Sequence, residues 1–112
     1  MPESAPSARI VLTTAASLEE ANRLGRTLVE ERLAACASLL PAVESMYMWN
    51  GKLETSSEAM LLLKTGIAQL SALETRLHQL HSYETPEFLV LPVEAGSSGY
   101  LAWMFNGLRA PQ

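Results

Sequence analysis

The first hydrophobic segment of the chain has the pattern of a buried strand followed by an amphipathic helix. Residues 9–14 (RIVLTT) are rich in β-branched side chains and are bounded by small residues, which is typical of a strand. Ser17 and Glu20 follow as a capping box, in which the serine hydroxyl accepts from the Glu20 amide and the Glu20 carboxylate returns to the Ser17 amide. Gly25 interrupts the predicted helix, and we expect close packing against another element at that point. Apolar residues recur at helical spacing, at Ala21, Leu24, Leu28, Val29 and Leu33.

A long β-hairpin is predicted next. Asn50-Gly51 separates two β-rich segments, residues 36–49 (CASLLPAVESMYMW) and 52–65 (KLETSSEAMLLLKT). Both central residues of a type I′ turn need a positive φ, which Asn and Gly tolerate better than other residues. Arms of this length are well beyond the usual strand of about five or six residues. The pattern therefore predicts an unusually long two-stranded arm.

The turn also sets the register of the hairpin. With Trp49 opposite Lys52, the pairs along the arms become Tyr47–Glu54, Val43–Glu58 and Ala37–Lys64. Pro41 has no N–H to donate to a strand ladder, so we expect a bulge or an edge position there. Beyond Pro41 the register is expected to slip by one residue.

The rest of the chain repeats the strand and helix signals. Gly66 ends the hairpin, and a second amphipathic helix is indicated by Ile67, Leu70, Leu73, Leu77 and Leu80. Residues 81–87 (HSYETPE) form a polar connector, because Pro86 ends any helical continuation. Residues 88–93 (FLVLPV) predict a fourth strand, and residues 100–108 (YLAWMFNGL) a short apolar helix. The element order is β-α-β-β-α-β with a terminal helix.

This order predicts the α+β class, as a ferredoxin-like βαββαβ sandwich with a long central hairpin and a C-terminal helix. A length of 112 residues is sufficient for one domain and too short for two. We assign residues 9–112 to this domain. Residues 1–8 are polar and rich in small residues and proline, and they are expected to form a disordered lead.

The hairpin carries apolar side chains on both of its faces. One face of its first arm has Val43, Tyr47 and Trp49, the other has Met46 and Met48, and residues 59–63 (AMLLL) are apolar on both. An antiparallel sheet normally turns one polar face to water. The two helices of the sandwich can cover one face only, so other subunits are expected to cover the second. The apolar terminal helix, with Trp103, Met104 and Phe105, needs cover for the same reason.

Composition and charge exclude several classes of function. The net charge is −4, all twelve carboxylates are Glu, and no basic run occurs, which disfavours nucleic acid as a partner. The absence of Asp removes the usual loop ligands of calcium and magnesium. No phosphate loop, HExxH or nucleophile elbow is present, so we expect no enzyme and no organic cofactor. One cysteine and no export or membrane-spanning segment favour a cytoplasmic protein without a membrane partner.

Several separated blocks of the sequence resemble the CutA divalent-cation tolerance family. They are ERLAAC (31–36), WNGK (49–52), LKT (63–65), HSYETPE (81–87), LPV (91–93) and YLAW (100–103), in a resemblance that spans residues 10–108. It implies a ferredoxin-like homotrimer, assembled through the edge strands of the long hairpins, that acts in tolerance and homeostasis of divalent metal ions, copper in particular. Ser82 stands where the family commonly has proline. Thr13 and Thr14 stand where some members carry a further cysteine.

The resemblance makes Cys36 and His81 the candidate metal ligands. A thiolate with an imidazole suits copper, and other divalent cations also accept imidazole. The alternative for Cys36 is a buried small hydrophobic residue, which describes most free cysteines. His78 lies at the end of the second predicted helix, where the helix dipole alone favours histidine.

A second group of candidates is expected to line a cleft or an interface between subunits. It comprises Tyr47, Trp49, Lys64, Tyr83 and Glu84. These side chains would either bind a ligand or only pack and pair between subunits. Two further functions follow: a PII-like signalling module that binds a small anionic metabolite in inter-subunit clefts near Lys64 and Trp49, and a structural trimer whose C-terminal helix recruits a protein partner.

Overall fold

The computed structural model describes residues 2–111 and confirms the predicted α+β architecture. Its elements are β1 (Glu3–Ser4), β2 (Ala8–Ala15), α1 (Leu18–Glu30), β3 (Cys36–Trp49), β4 (Lys52–Gly66), a 3-10 turn (Ile67–Gln69), α2 (Leu70–Leu80), β5 (Leu89–Pro92), β6 (Ala95–Gly96) and α3 (Ser98–Asn106). The main sheet has the strand order β3-β4-β2-β5 and is antiparallel throughout. This is the strand order of a ferredoxin-like sandwich. Within residues 2–111, no helix has the length and apolar character needed to span a membrane.

Helices α1 and α2 pack on one face of the sheet, which we call the helix face. The fully buried leucines of α1 (Leu24, Leu28) and α2 (Leu73, Leu77) meet strand residues of the same cluster, among them Val11, Leu61 and Leu63. Burial of a side chain of this size contributes about 1.5–3 kcal/mol to folding. This cluster is the main core of the domain.

Gly25 lies where α1 approaches the sheet most closely. A Cβ at this position would lie 3.2 Å from the Cβ of Ala37 and 3.6 Å from side-chain atoms of Leu39 and Leu61. A larger side chain would therefore push the helix off the sheet. The expected reason for a helical glycine, close packing against another element, is confirmed.

The hairpin has the predicted turn, register and bulge. Asn50 and Gly51 have φ values of 51° and 77°, as a type I′ turn requires. Trp49 pairs with Lys52, and the pairing continues in this register to Val43 opposite Glu58. Between Val43 and Leu40 the register shifts, so that Ala37 faces Leu63 rather than Lys64. The slip expected at Pro41 is confirmed, and it arises because proline cannot donate to the ladder.

The opposite side of the sheet, the open face, lacks a helical layer along most of its length. Alternation along the strands places Ile10, Leu12, Met60 and Leu62 on this face. Large apolar side chains remain exposed there, including Leu40 (48%), Leu89 (55%) and Leu91 (43%). The prediction that the helices of one chain cover only one face is confirmed.

The N-terminal segment differs from the expected disordered lead. Glu3 and Ser4 of β1 pair with Gly96 and Ala95 of β6. Ala5 and Ala8 are buried in a second cluster with residues of α3. The cause is the apolar terminal helix, whose Leu101 and Met104 are covered by this segment of the same chain. Met1 lies outside the described residues.

Candidate functional site

His81 is held at the end of α2 with both ring nitrogens engaged. Its side chain is fully buried. Nε2 lies 2.7 Å from the carbonyl oxygen of Thr14, and Nδ1 lies 3.0 Å from the backbone nitrogen of Tyr83. An N–H must donate to the carbonyl, and a lone pair must accept from the amide, so the ring is the neutral Nε2–H tautomer. No lone pair is left for a metal ion, and the predicted ligand role of His81 does not fit this geometry.

Glu20 anchors the connector that His81 begins. Ser17 Oγ accepts from the Glu20 amide at 3.1 Å, as expected for the cap of α1. The Glu20 carboxylate instead accepts from the N–H and Oγ of Ser82, each at 2.8 Å, and lies 3.7 Å from Nδ1 of His81. Burial raises the pKa of Glu20, but the hydrogen bonds from Ser82 outweigh it and hold this pKa below its ordinary value. The sequence assigned this carboxylate to the capping box, and that half of the prediction is wrong.

Tyr83 connects the same segment to the hairpin. Its hydroxyl donates to Oε2 of Glu58 at 2.8 Å. Burial, together with this hydrogen bond and the carboxylate charge, raises the pKa of Tyr83 to about 12. The phenol therefore stays protonated at physiological pH and acts as a permanent donor to Glu58. The ring also lies against His81, with centroids 4.8 Å apart.

A broad groove of about 960 Å³ lies beside this contact on the open face. It is between the connector 81–87 and the distal half of the hairpin, the half next to the Asn50-Gly51 turn. Its walls include the aromatic rings of Tyr47, Trp49 and Tyr83. Its carboxylates come from Glu54, Glu58 and Glu87. Three of the five residues predicted to line a cleft are therefore together here. Glu54 and Glu58 were missed as site residues, although their predicted pairing with Tyr47 and Val43 already placed them on this face.

The other two predicted cleft residues lie elsewhere. Lys64 is at the opposite end of the hairpin, where it pairs with Cys36. Glu84 is exposed on the connector and is not part of the groove wall. Within one chain Lys64 and Trp49 are therefore at opposite ends of the hairpin, whereas the expected anion site near both was a cleft between subunits.

Cys36 begins β3 and is partly exposed. Nζ of Lys64 lies 3.7 Å from its Sγ and also donates to the hydroxyl of Ser38. The thiol and burial together raise the pKa of Tyr100 on α3, with burial as the larger cause. The immediate surroundings of this sulfur are an ammonium and two hydroxyls rather than imidazole or carboxylate.

The two predicted metal ligands are at different places on the sheet. Cys36 is level with Lys64 and Ile10, whereas His81 bonds to Thr14, four residues further along β2, a separation of about 13 Å along a strand. Among residues 2–111, no three His, Cys or Glu side chains converge closely enough to hold a metal ion. His78 is exposed on α2 and joins neither group. The described part of a single chain thus does not form a closed metal site.

Several known proteins with this sequence pattern and architecture share one description. The family model for the CutA1 divalent ion tolerance protein matches residues 9–106. The divalent-cation tolerance protein CutA of Pectobacterium atrosepticum is 49% identical over 100 residues, which cover 89% of this chain and 91% of that protein. Its counterpart in Citrobacter koseri is 45% identical over 106 residues, covering 95% and 92%.

Solved structures agree with the sequence comparison. CutA from Synechococcus elongatus superposes with a TM-score of 0.93 at 35% identity, over 97% of this chain and 96% of that one. The divalent cation tolerance protein CutA1 from Thermus thermophilus gives 0.88 at 37% identity, over 91% and 99%. With the fold, the long bulged hairpin and nearly the whole length in common, this chain belongs to the CutA1 family of divalent ion tolerance proteins.

Proposed function

We propose that this protein acts as a cytoplasmic homotrimer in tolerance of divalent metal ions, copper included, and that it does so without catalysing a reaction. Membership of a family described by ion tolerance supports the role. The observation that supports assembly is the exposed open face. Leu40, Leu89 and Leu91 are exposed there, beside side chains of the central strands that are only partly buried. A monomer rarely leaves so large an apolar surface in water. The proposal of three subunits per assembly is based on the family resemblance.

The edges of the sheet support the same proposal. β3 and β5 are the two outer strands of the main sheet, and within the described residues each pairs on one side only. A long unpaired edge is a ready template for another strand. Pairing such edges between copies of the chain would place open faces against one another and cover the exposed leucines.

The assembly is tested by mass and by a matched pair of charge substitutions. Leu91 and Leu18 are each 43% exposed, the first on the open face and the second at the start of α1. Light scattering is expected to give three times the chain mass of 12.2 kDa for wild type and for Leu18→Glu. Leu91→Glu is expected to reduce the mass, because a buried unpaired carboxylate is costly. A wild-type monomer, or equal masses for the two variants, would contradict the proposal.

We propose further that Cys36 supplies the soft ligand for copper and that groups from other subunits complete its coordination. The support is chemical: thiolate is the ligand that Cu(I) prefers, and the sulfur is partly exposed. His81 is assigned a different role, because both of its nitrogens hold the connector in place. In this arrangement the protein carries the metal ion, and the connector has a structural role.

Titration with Cu(I) under reducing conditions, against a competing chelator, distinguishes the roles of Cys36 and His81 in copper binding. Cys36→Ser is expected to weaken binding by more than about tenfold, since it removes the thiolate. His81→Gln is expected to leave copper affinity close to that of wild type, provided that circular dichroism shows a folded protein. Unchanged binding by Cys36→Ser would remove the proposed ligand. Loss of binding only in a folded His81→Gln protein would restore the histidine.

No observation favours the PII-like alternative over this function. Its anionic metabolite was expected in inter-subunit clefts near Lys64 and Trp49, and within one chain these two residues lie at opposite ends of the hairpin and form no site together. The groove beside Trp49 has three carboxylates in its wall and would repel an anion.

A further inference from the structure

The chain contains two Asn-Gly pairs, and the structure places them in different environments. Asn50-Gly51 forms the turn of the long hairpin, whereas Asn106-Gly107 is at the end of α3. Both asparagines are exposed to solvent. Because the dipeptide and the exposure of its asparagine are the same, any difference in reactivity between the two pairs must come from the local backbone.

An asparagine that precedes a glycine can react with its own main chain. The glycine amide nitrogen loses its proton to a solvent base and bonds to the asparagine Cγ. The Cγ–Nδ2 bond then breaks, and ammonia leaves with a proton from water, so that a five-membered cyclic imide remains. Water adds to one of the two imide carbonyl groups and opens the ring to aspartate or isoaspartate. Glycine favours the ring closure because it has no Cβ to obstruct the approach and can adopt a wide range of backbone angles.

The hairpin turn leaves the attacking nitrogen free. Within residues 2–111, no carbonyl group accepts a hydrogen bond from the Gly51 amide. Gly51 has a φ of 77°, and the position that a Cβ would occupy has no contact within 4 Å. The turn lies beyond the last ladder pair, Trp49 with Lys52. Its backbone angles can therefore change at the cost of this terminal pair alone, as is usual for an exposed loop tip.

The second pair is constrained at the same step. The Gly107 amide nitrogen donates to the carbonyl oxygens of Trp103 and Met104, at 3.2 and 3.1 Å. Asn106 is the last residue of α3, and a Cβ on Gly107 would lie 3.4 Å from the Cβ of Ala35. The nitrogen must lose these two acceptors, and the end of the helix must unwind, before the nitrogen can reach the asparagine Cγ.

We propose that Asn50 is a site of spontaneous deamidation, which converts the hairpin turn to isoaspartate, and that α3 protects Asn106 from the same reaction. Isoaspartate routes the main chain through the former side chain, so the turn becomes one atom longer and gains a carboxylate. A type I′ turn requires two residues of ordinary backbone, and the pair of Trp49 with Lys52 is expected to open. The proposed assembly covers strand edges and the open face, and the turn belongs to neither.

Incubation of the full-length protein at mildly alkaline pH tests this proposal, because the attacking nitrogen must lose its proton. Isoaspartate is measured by methyl transfer from S-adenosylmethionine with an isoaspartate carboxyl methyltransferase, and peptide mapping at acidic pH locates it. Residue 50 is expected to accumulate isoaspartate at least about tenfold faster than residue 106, because the Gly107 amide must first give up its hydrogen bonds. Circular dichroism checks that the protein stays folded during the incubation.

Two single variants provide the matched control. Asn50→Gly removes the reactive amide and keeps a residue that tolerates the positive φ of the turn, so it is expected to form almost no isoaspartate. Asn106→Gln places a good helix former at the end of α3 and is expected to form as much isoaspartate as wild type. The absence of isoaspartate at residue 50 in the folded wild-type protein would overturn the proposal. Equal rates at residues 50 and 106 would also overturn it, because the dipeptide alone would then set the rate.

Discussion

Glu20→Ala is expected to lower the free energy of unfolding by about 3 kcal/mol, an unusually large effect for a residue in the first turn of a helix. Glu20 is 5% exposed, and its carboxylate accepts two hydrogen bonds from Ser82. Alanine would leave the N–H and hydroxyl of Ser82, which is itself exposed, without their carboxylate acceptor. The connector 81–87 would then lose its main attachment to α1. Chemical denaturation followed by circular dichroism measures the change.

The same carboxylate gives a pH dependence whose sign follows from its pKa. The pKa of Glu20 is lowered in the folded protein relative to its ordinary value of 4.5. The folded state therefore binds fewer protons than the unfolded state. The stabilisation is fully present above about pH 4.5 and is lost as the pH falls through the folded pKa. Glu20→Gln is expected to remove this part of the acid sensitivity.

Glu19 provides the matched control for Glu20. It occupies the same first helical turn, has the same charge and is exposed. Glu19→Ala is expected to change stability by no more than about 1 kcal/mol, the size of a helix-dipole effect at the surface. Equal effects at Glu19 and Glu20 would mean that helix polarity, and not the bond to Ser82, accounts for both.

Leu61→Ala is expected to lower the free energy of unfolding by about 2–5 kcal/mol. Leu61 is fully buried on the helix face and packs in the cluster that joins α1 and α2 to the sheet. Truncation leaves a cavity between β4 and the helices that the close-packed surroundings fill only in part. Because the cavity is internal to one chain, the loss is expected to be the same at every protein concentration.

The adjacent Leu62 gives a control of the same chemistry on the other face. It lies on the open face and is only partly buried within one chain. Leu62→Ala is expected to act mainly through association, so its effect on the melting temperature should grow or shrink with protein concentration. Concentration-independent losses of equal size at both positions would argue that the open face is not an interface.

The hairpin was predictable because its determinants are local. Asn50 and Gly51 fix the turn through positive φ, and the turn fixes the register for the distal half of both arms. Pro41 then indicates where the register slips. Each signal involves neighbours in sequence, so tertiary contacts were not needed to interpret it.

The groove was only partly predictable. Alternation along the predicted arms already placed Tyr47 on the same face as Glu54, because strand side chains have a period of two. Tyr83 and Glu87 reach the groove from the connector because of the path that the chain takes in three dimensions, and the sequence does not indicate this path. The hydrogen-bond partner of the Glu20 carboxylate was ambiguous in sequence, because a local helix cap and a partner 62 residues away compete for it.

The sequence by itself determined the element order, the long bulged hairpin, the apolar character of both sheet faces and the family. The first three properties depend on periodicity and turn chemistry, which act over a few residues, and the family was indicated by separated motif blocks. Only the tertiary structure decided that His81 holds the connector and that Cys36 lies at a different place on the sheet. It also decided that the N-terminal segment pairs with β6 and that three carboxylates share one groove with three aromatic rings. Distances between remote residues and the use of each lone pair depend on how the chain packs, and no local pattern encodes them.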